Sequence, residues 1–192
     1  MILSFRPDLP NHLNGCTLCA DLRLSCCQMA DMEGMMYYLM VALLMFVLPV
    51  GSIMIELLLF KGASTLIPLV GKWFAFWAVG GRLLLAGLRQ AIQPRFTAET
   101  ILGIKGNEPL QLVQELGFSN IAIGTIGIIS IFNGSWVMPS SIAGCLFYGL
   151  AGARHIVKGK RGTAENTAMV SDVFIFIVLL AYIIIQVASP SM

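Results

Sequence analysis

The chain has 192 residues and a formal net charge of +2, with 57% hydrophobic and 11% charged residues. Soluble domains carry about 45–50% apolar and about 25% charged residues, so this composition excludes an ordinary soluble domain. The small net charge gives no basis for nucleic-acid binding, which we do not expect. The apolar excess instead predicts that the lipid bilayer is the main partner of the chain.

Residues 1–31 differ in composition from the rest of the chain and show no helical period. Their four cysteines, Cys16, Cys19, Cys26 and Cys27, are possible zinc ligands. The spacing to the second pair is short and adjacent cysteines chelate one metal poorly, so we predict no metal site. We expect this segment to be a leader that is disordered or absent from the mature protein, which would begin near Met32. The predicted transmembrane domain covers 32–192.

Five apolar stretches predict an all-α integral membrane bundle. A helix needs about 20 residues, at about 1.5 Å rise per residue, to cross the hydrocarbon core. The predicted spans cover about 36–60, 73–92, 116–132, 136–156 and 168–187. The last four spans form the predicted core, and the first packs outside them. Pro49 and Gly51 predict a kink in the first span, which neighbouring helices can tolerate.

The third span is predicted to be the inner part of a longer helix. Asn107 is a good N-cap and Pro109 suits a first turn, so the helix is expected to run from Glu108 to Phe132. Its first turns are polar, and it crosses the membrane from about Leu116. The tight turn that follows at 133–135 leads into the fourth span.

Basic residues are concentrated at one end of the predicted bundle. Nine of the twelve lie there, namely Arg6, Arg23, Arg89, Arg95, Lys105, Arg154, Lys158, Lys160 and Arg161. The opposite end has Lys61 and Lys72. The positive-inside rule therefore predicts a cytoplasmic N-terminus and a periplasmic or extracellular C-terminus.

Two arginines lie within the second span, and their spacing places them on one face. Arg82 and Arg89 are seven residues apart, which is close to two helical turns. An arginine at the mid-depth of Arg82 stays charged, so it needs a carboxylate, carbonyls, water or an anionic ligand. The candidate carboxylates are Glu56, Glu99, Glu115 and Asp172. An internal salt bridge is the favoured interpretation, and ligand binding or transport is the alternative.

Other polar residues in the spans also have two interpretations. Arg89 can extend its side chain to lipid phosphates or meet a ligand. Glu115 and Asn120 in the third span can mark a packing seam or line a small cavity. Asp172 can complement a helix dipole or pair with an arginine. His155 is more typical of an interfacial residue than of a ligand.

Small residues recur every four positions on the fourth span. They are Ser141, Cys145, Gly149 and Ala153, and this spacing predicts a helix-packing face. The chain has no Gly-rich phosphate loop, HExxH motif or GxSxG elbow. We therefore predict no catalytic residue and no cofactor, and an enzyme is not favoured.

Four stretches, 82–87, 93–99, 115–118 and 168–172, suggest a family. From residue 68 onward the chain resembles an uncharacterised family of small bacterial inner-membrane proteins, a domain of unknown function. The last four spans also resemble, in hydropathy and layout, the four-helix membrane folds grouped around DoxX. The first resemblance implies a multi-pass bundle in the bacterial plasma membrane and leaves the activity open. The second would suggest a redox link.

Three classes of function follow from these observations. In the first class, the protein binds or moves a small polar or anionic molecule, with Arg82 as the group that meets it. Alternatively, it is a scaffold or subunit, in which the small-residue face of the fourth span docks a membrane protein or a second copy. A redox-linked membrane enzyme is the least favoured class, because His155 is the only histidine after residue 31.

Overall fold

A computed structural model of the chain describes residues 34–59, 66–101, 106–157 and 162–188. The chain divides into two units, Met1–Tyr37 and Tyr38–Met192, and the described part of the first is the turn Gly34–Tyr37. The predicted leader and its four cysteines lie outside the described residues.

The described residues form an all-α fold with no strand among them, as the sequence predicts. Its long helices are α1 (Gly34–Leu59), α2 (Leu66–Ile92), α3 (Glu108–Ile129), α4 (Val137–Val157) and α5 (Thr163–Ala188). Five helices of the described chain are long and apolar enough to cross a membrane. This confirms the predicted fold class and fits a membrane protein.

Three of the helices, α2, α3 and α5, begin several residues before the predicted spans, which start at 73, 116 and 168. α2 begins at Leu66, ahead of Trp73, because Pro68 lies in its first turn, where a missing N–H costs no hydrogen bond. α3 begins at Glu108 with Asn107 as its N-cap residue, at the predicted position, and ends at Ile129.

The predicted irregularity in α1 takes the form of a π-helical turn at Leu43–Val47. The Leu48 N–H bonds the Leu43 carbonyl, five residues earlier. Pro49 follows at once and has no N–H to give to the carbonyl four residues before it, at Met45. The wider turn therefore lies where the proline interrupts the regular hydrogen-bond ladder.

α2 is the central helix of the unit Tyr38–Met192 and contacts each of the other four long helices. The indole of Trp77 donates to Ser52 of α1 at 3.0 Å, and Gly71 lies against Tyr182 of α5. After α2, the chain continues in two short helical turns, Pro94–Phe96 and Thr97–Ile101, which precede α3. One end of the bundle contains the last residues of α2 and α4, and we call it the α4–α5 end. The opposite end is called the α3–α4 end.

The contact between α2 and α3 is a seam of glycines. Its closest approaches pair Gly80 with Gly127, Gly87 with Gly117 and Leu84 with Gly124. A Cβ added at Gly87 would lie 2.6 Å from the Gly117 carbonyl oxygen, so backbone meets backbone. Small residues permit this approach, and the seam fixes the position of α2 and the direction in which Arg82 points.

Candidate functional site

Arg82 lies in the interior of the bundle, on the side of α2 away from the glycine seam. Its Nη1 donates to Oδ1 of Asp172 on α5 at 2.8 Å. The two side chains are only 10% and 6% exposed. Among the carboxylates considered from the sequence, Asp172 therefore meets Arg82, and charge-assisted bonds of this length are among the stronger hydrogen bonds in proteins.

Tyr148 of α4 completes this group, which we call the deep cluster (Arg82, Tyr148 and Asp172). The Arg82 guanidinium carbon is 5.2 Å from the centre of the Tyr148 ring, within the range of a cation–π contact. Tyr148 is fully buried, and its hydroxyl donates to the carbonyl of Ala78 on α2. The cluster therefore joins three helices through polar contacts.

The local geometry of α2 explains why that carbonyl can accept a bond. Residues Ala75–Gly81 form a π-helical stretch, and the Arg82 N–H bonds the carbonyl of Trp77. In a regular α-helix that N–H would bond the carbonyl of Ala78, four residues earlier. The π-helical turn therefore shifts the backbone hydrogen bond of Arg82 from the Ala78 carbonyl to the Trp77 carbonyl, at the point where Tyr148 contacts α2. Such π-bulges are frequent at functional sites.

A second polar pair lies nearer the α4–α5 end. Nδ1 of His155 is 3.1 Å from Oε1 of Glu165, and the two side chains are 14% and 6% exposed. His155 and Glu165 each lie seven residues from a member of the deep cluster on the same helix, which is about 10 Å along the axis.

The other half of the same interior is mainly apolar, although Ser140 and Ser141 of α4 are also buried there. Its buried apolar residues are Ala75, Val79, Val137, Ile175, Leu179 and Tyr182. Gly144 of α4 sits against Val79 and Leu179, which closes the packing just beyond the deep cluster. The polar interior therefore extends from the α4–α5 end to the deep cluster, where apolar packing takes over.

The remaining candidate polar residues lie away from the deep cluster. The Arg89 guanidinium carbon is 3.7 Å from the centre of the Phe96 ring. Asn120 is buried in the α2–α3 seam, where its amide donates to Gln90 at 2.7 Å. Its Oδ1 meets no hydrogen-bond partner among the described residues. Glu115 is exposed on the outer side of α3, so α3 adds neither of its two candidates to the cluster.

The small residues of α4 pack mainly within the chain. Ser141 and Cys145 are buried, and Gly149 lies against Phe176 of α5. Ala153, the last of the series, is exposed. The predicted packing face is thus largely an intramolecular contact between α4 and α5.

Sequence reasoning did not select Tyr148 or Glu165 as site residues. A signal for both was present, because Tyr148 with His155, and Glu165 with Asp172, repeat the seven-residue spacing of Arg82 and Arg89. The acceptor carbonyl of Ala78 had no such signal, since a π-helical turn leaves no clear mark in the sequence. Within the described ranges no group of three or more metal-ligating side chains occurs.

Comparison with known proteins gives one match. Residues 39–191 match a family described as a family of unknown function (DUF6790). Neither a curated protein nor a solved structure matches the chain. Because the match covers most of the sequence, the chain belongs to the DUF6790 family.

Proposed function

We propose that this protein binds a small molecule that carries an anionic group, and moves it within the bundle, with Arg82 as the group that meets it. The observation that supports this most directly is the deep cluster, where the Arg82 guanidinium contacts Asp172 at 2.8 Å in the interior of candidate membrane spans. A guanidinium binds carboxylate and phosphate groups well. In this proposal Asp172 occupies the position that the anionic group of the ligand takes.

The energetics of buried ion pairs favour a role beyond stability. Desolvating two charges costs about as much as their attraction returns, so apolar residues of similar volume often stabilise a fold equally well. This bundle already has an apolar core and a glycine seam. Ionisable residues inside spans often mark the path of a substrate or ion. The Arg82–Asp172 contact is the internal salt bridge that the sequence favours, and we infer that it also serves ligand exchange.

Access in this proposal is from the α4–α5 end. His155 and Glu165 extend the polar interior toward that end, whereas Val79 and Leu179 pack the opposite side. Most basic residues of the sequence also belong to the predicted cytoplasmic side. A positive surface raises the local concentration of an anion near the route.

We further propose that the protein is a multi-pass protein of a bacterial plasma (inner) membrane. Five candidate spans and the charge bias of the connections support a cytoplasmic N-terminus and a periplasmic or extracellular C-terminus. The α4–α5 end then faces the cytoplasm. Reporter fusions at the C-terminus and in the α4–α5 connection test this, and a cytoplasmic C-terminus would contradict it.

The experiment that tests ligand binding is native mass spectrometry of the full chain, released gently from its own membrane. We expect a reproducible bound small molecule of acidic character. Arg82→Lys keeps a positive charge opposite Asp172, so the variant should stay folded but lose the ligand, because lysine lacks the planar fork. Arg95→Lys is the matched control, since Arg95 is exposed and bonds Asn107.

Two outcomes would contradict the proposal. One is a wild-type chain that carries no small molecule in any preparation. The other is an Arg82→Lys variant that retains the ligand as fully as Arg95→Lys does. A loss of folded protein in Arg82→Lys, with Arg95→Lys unaffected, would instead support the purely structural interpretation of the pair.

A specific observation favours a second candidate, a subunit of a larger membrane complex or homo-oligomer. Glu115 and Ser119 are exposed on α3, at the point where the predicted span begins. A partner helix would cover them. Glu115→Leu should then reduce association in size-exclusion chromatography, and an unchanged complex would count against this candidate. The redox-linked enzyme gains no support from His155, which contacts Glu165.

A further inference from the structure

A groove of about 260 Å³ lies between α1 and α5, separate from the deep cluster. Its lining residues are Tyr38, Val41, Ala42 and Phe46 of α1 with Asn166, Thr167, Val170 and Ser171 of α5. Ala42 and Val170 are exposed, so the groove opens to the outside of the bundle. In the proposed membrane setting, its open side faces lipid.

The groove is polar at one end and apolar at the other. Asn166 and Thr167 lie in the first turns of α5, at the α4–α5 end. Further along, Phe46 stacks on Phe174, with ring centres 4.7 Å apart. Phe174 lies eight residues beyond Asn166, which is about 12 Å along the helix. This gradient matches a molecule with a polar head at the membrane surface and an apolar chain pointing inward.

The basic residues of the sequence that leads into α5 favour a negative head. Lys158, Lys160 and Arg161 lie outside the described residues and precede Asn166 by a few positions in the sequence. Arg154, in the last turn of α4, is exposed. The N-terminus of α5 adds the positive end of a helix dipole. Clusters of basic residues next to a span attract anionic lipid headgroups.

From this geometry we propose that the α1–α5 groove binds one anionic phospholipid. One acyl chain lies between Val41 and Val170, and the headgroup lies beside Asn166 and Thr167. The volume is below the roughly 300–1,000 Å³ typical of sites that enclose a whole drug-sized ligand, and it suits one chain segment. This site does not depend on the ligand proposed for Arg82.

The test uses the full chain in bilayers of phosphatidylcholine that contain a minority of phosphatidylglycerol, followed by native mass spectrometry. Wild-type protein should retain one phosphatidylglycerol molecule in preference to phosphatidylcholine. Ala42→Trp fills the groove and should lose that lipid. Ala181→Trp places the same side chain at another exposed alanine, on α5, and should retain it.

A variant with the three basic residues replaced by glutamine (Lys158, Lys160 and Arg161) should lose the preference for phosphatidylglycerol.

A second measurement uses wild-type protein alone and so does not depend on the folding of any variant. A phospholipid with a photoreactive acyl chain should label the wild-type protein mainly within 38–46 and 166–171. Equal retention of both lipids by wild type, or unchanged retention in Ala42→Trp, would overturn the proposal. Labelling spread evenly over the exposed helix faces would do the same. Arg82→Lys should leave the lipid in place, so failure here is distinct from failure of the Arg82 ligand.

Discussion

The two sides of α2 are packed by different physical means. On one side, Gly80 and Gly87 bring its backbone against the backbone of α3. On the other side, Arg82 and the carbonyl of Ala78 meet α5 and α4 through directed polar contacts. The first interface depends on shape and the second on a few charges and hydrogen bonds.

In the function proposed above, this difference separates a fixed part of the bundle from a part that exchanges partners. Backbone atoms in close contact cannot yield without moving a helix, so the glycine seam holds α2 in place. A charged pair can exchange one partner for another of the same sign while its helices stay in position. The variants below are designed to weaken one side and leave the other intact.

The largest effect is expected from removing one partner of the buried pair. Asp172→Ala leaves the Arg82 charge buried without its carboxylate, which should lower the free energy of unfolding by about 3–5 kcal/mol. Thermal unfolding in detergent measures this. The double variant Arg82→Met with Asp172→Leu removes both charges and should recover most of the loss. A double variant as unstable as Asp172→Ala would contradict this view of the polar side.

A somewhat smaller loss is expected on the glycine side. Gly127→Ala places a methyl group against the backbone of Gly80, and overpacking of this kind costs about 1–3 kcal/mol. Gly51→Ala in α1 is the control, because nothing lies within 4 Å of the added Cβ. We expect Gly51→Ala to be neutral or slightly stabilising in the same unfolding assay. Equal losses in both variants would remove the argument for a tight seam.

Tyr148→Phe tests the hydrogen bond to the π-helical stretch. The variant keeps the ring beside Arg82 but leaves the carbonyl of Ala78 without the Tyr148 hydroxyl. Side-chain hydrogen bonds in membrane proteins are worth about 0.6 kcal/mol on average and at most about 1.7. The unfolding temperature should therefore fall only slightly. A loss as large as that of Asp172→Ala would mean that Tyr148, and not the ion pair, holds the cluster together.

The smallest effect is expected at the ion pair between α1 and α2. Nζ of Lys72 is 2.8 Å from Oε2 of Glu56, but the side chains are 34% and 18% exposed. Partly solvated pairs contribute about 0–1 kcal/mol, so Glu56→Gln should change stability little. The same assay allows direct comparison with Asp172→Ala. If Glu56→Gln and Asp172→Ala lower the free energy of unfolding by similar amounts, burial does not determine how much each ion pair contributes to stability.

The helices could be predicted from sequence because their signals are local. Long apolar runs with few charges predict the spans, and Asn107 with Pro109 predicts the start of α3. The second span is predicted to begin at Trp73, which suggests an interface, and the helix that contains this span begins earlier, at Leu66. In the structure, Trp73 instead donates to Glu56 at 2.7 Å.

Pairing within the site could be predicted only in part. Helix periodicity gave the shared face of Arg82 and Arg89, but the choice of Asp172 depends on how α5 packs against α2. The Tyr148 contact depends on a π-helical stretch, which sequence periodicity at 3.6 residues per turn does not reveal. Glu165 follows the spacing of Asp172 and could have been found by searching for seven-residue pairs on every span.

The central claim, that Arg82 meets a ligand, is tested most directly by exchanging the two charges. The variant Arg82→Asp with Asp172→Arg keeps a salt bridge between α2 and α5 but moves the guanidinium to the other helix. In native mass spectra we expect folded protein without the acidic ligand that the wild type carries. A folded, exchanged variant that still carries the ligand at the wild-type level would contradict a specific role for Arg82.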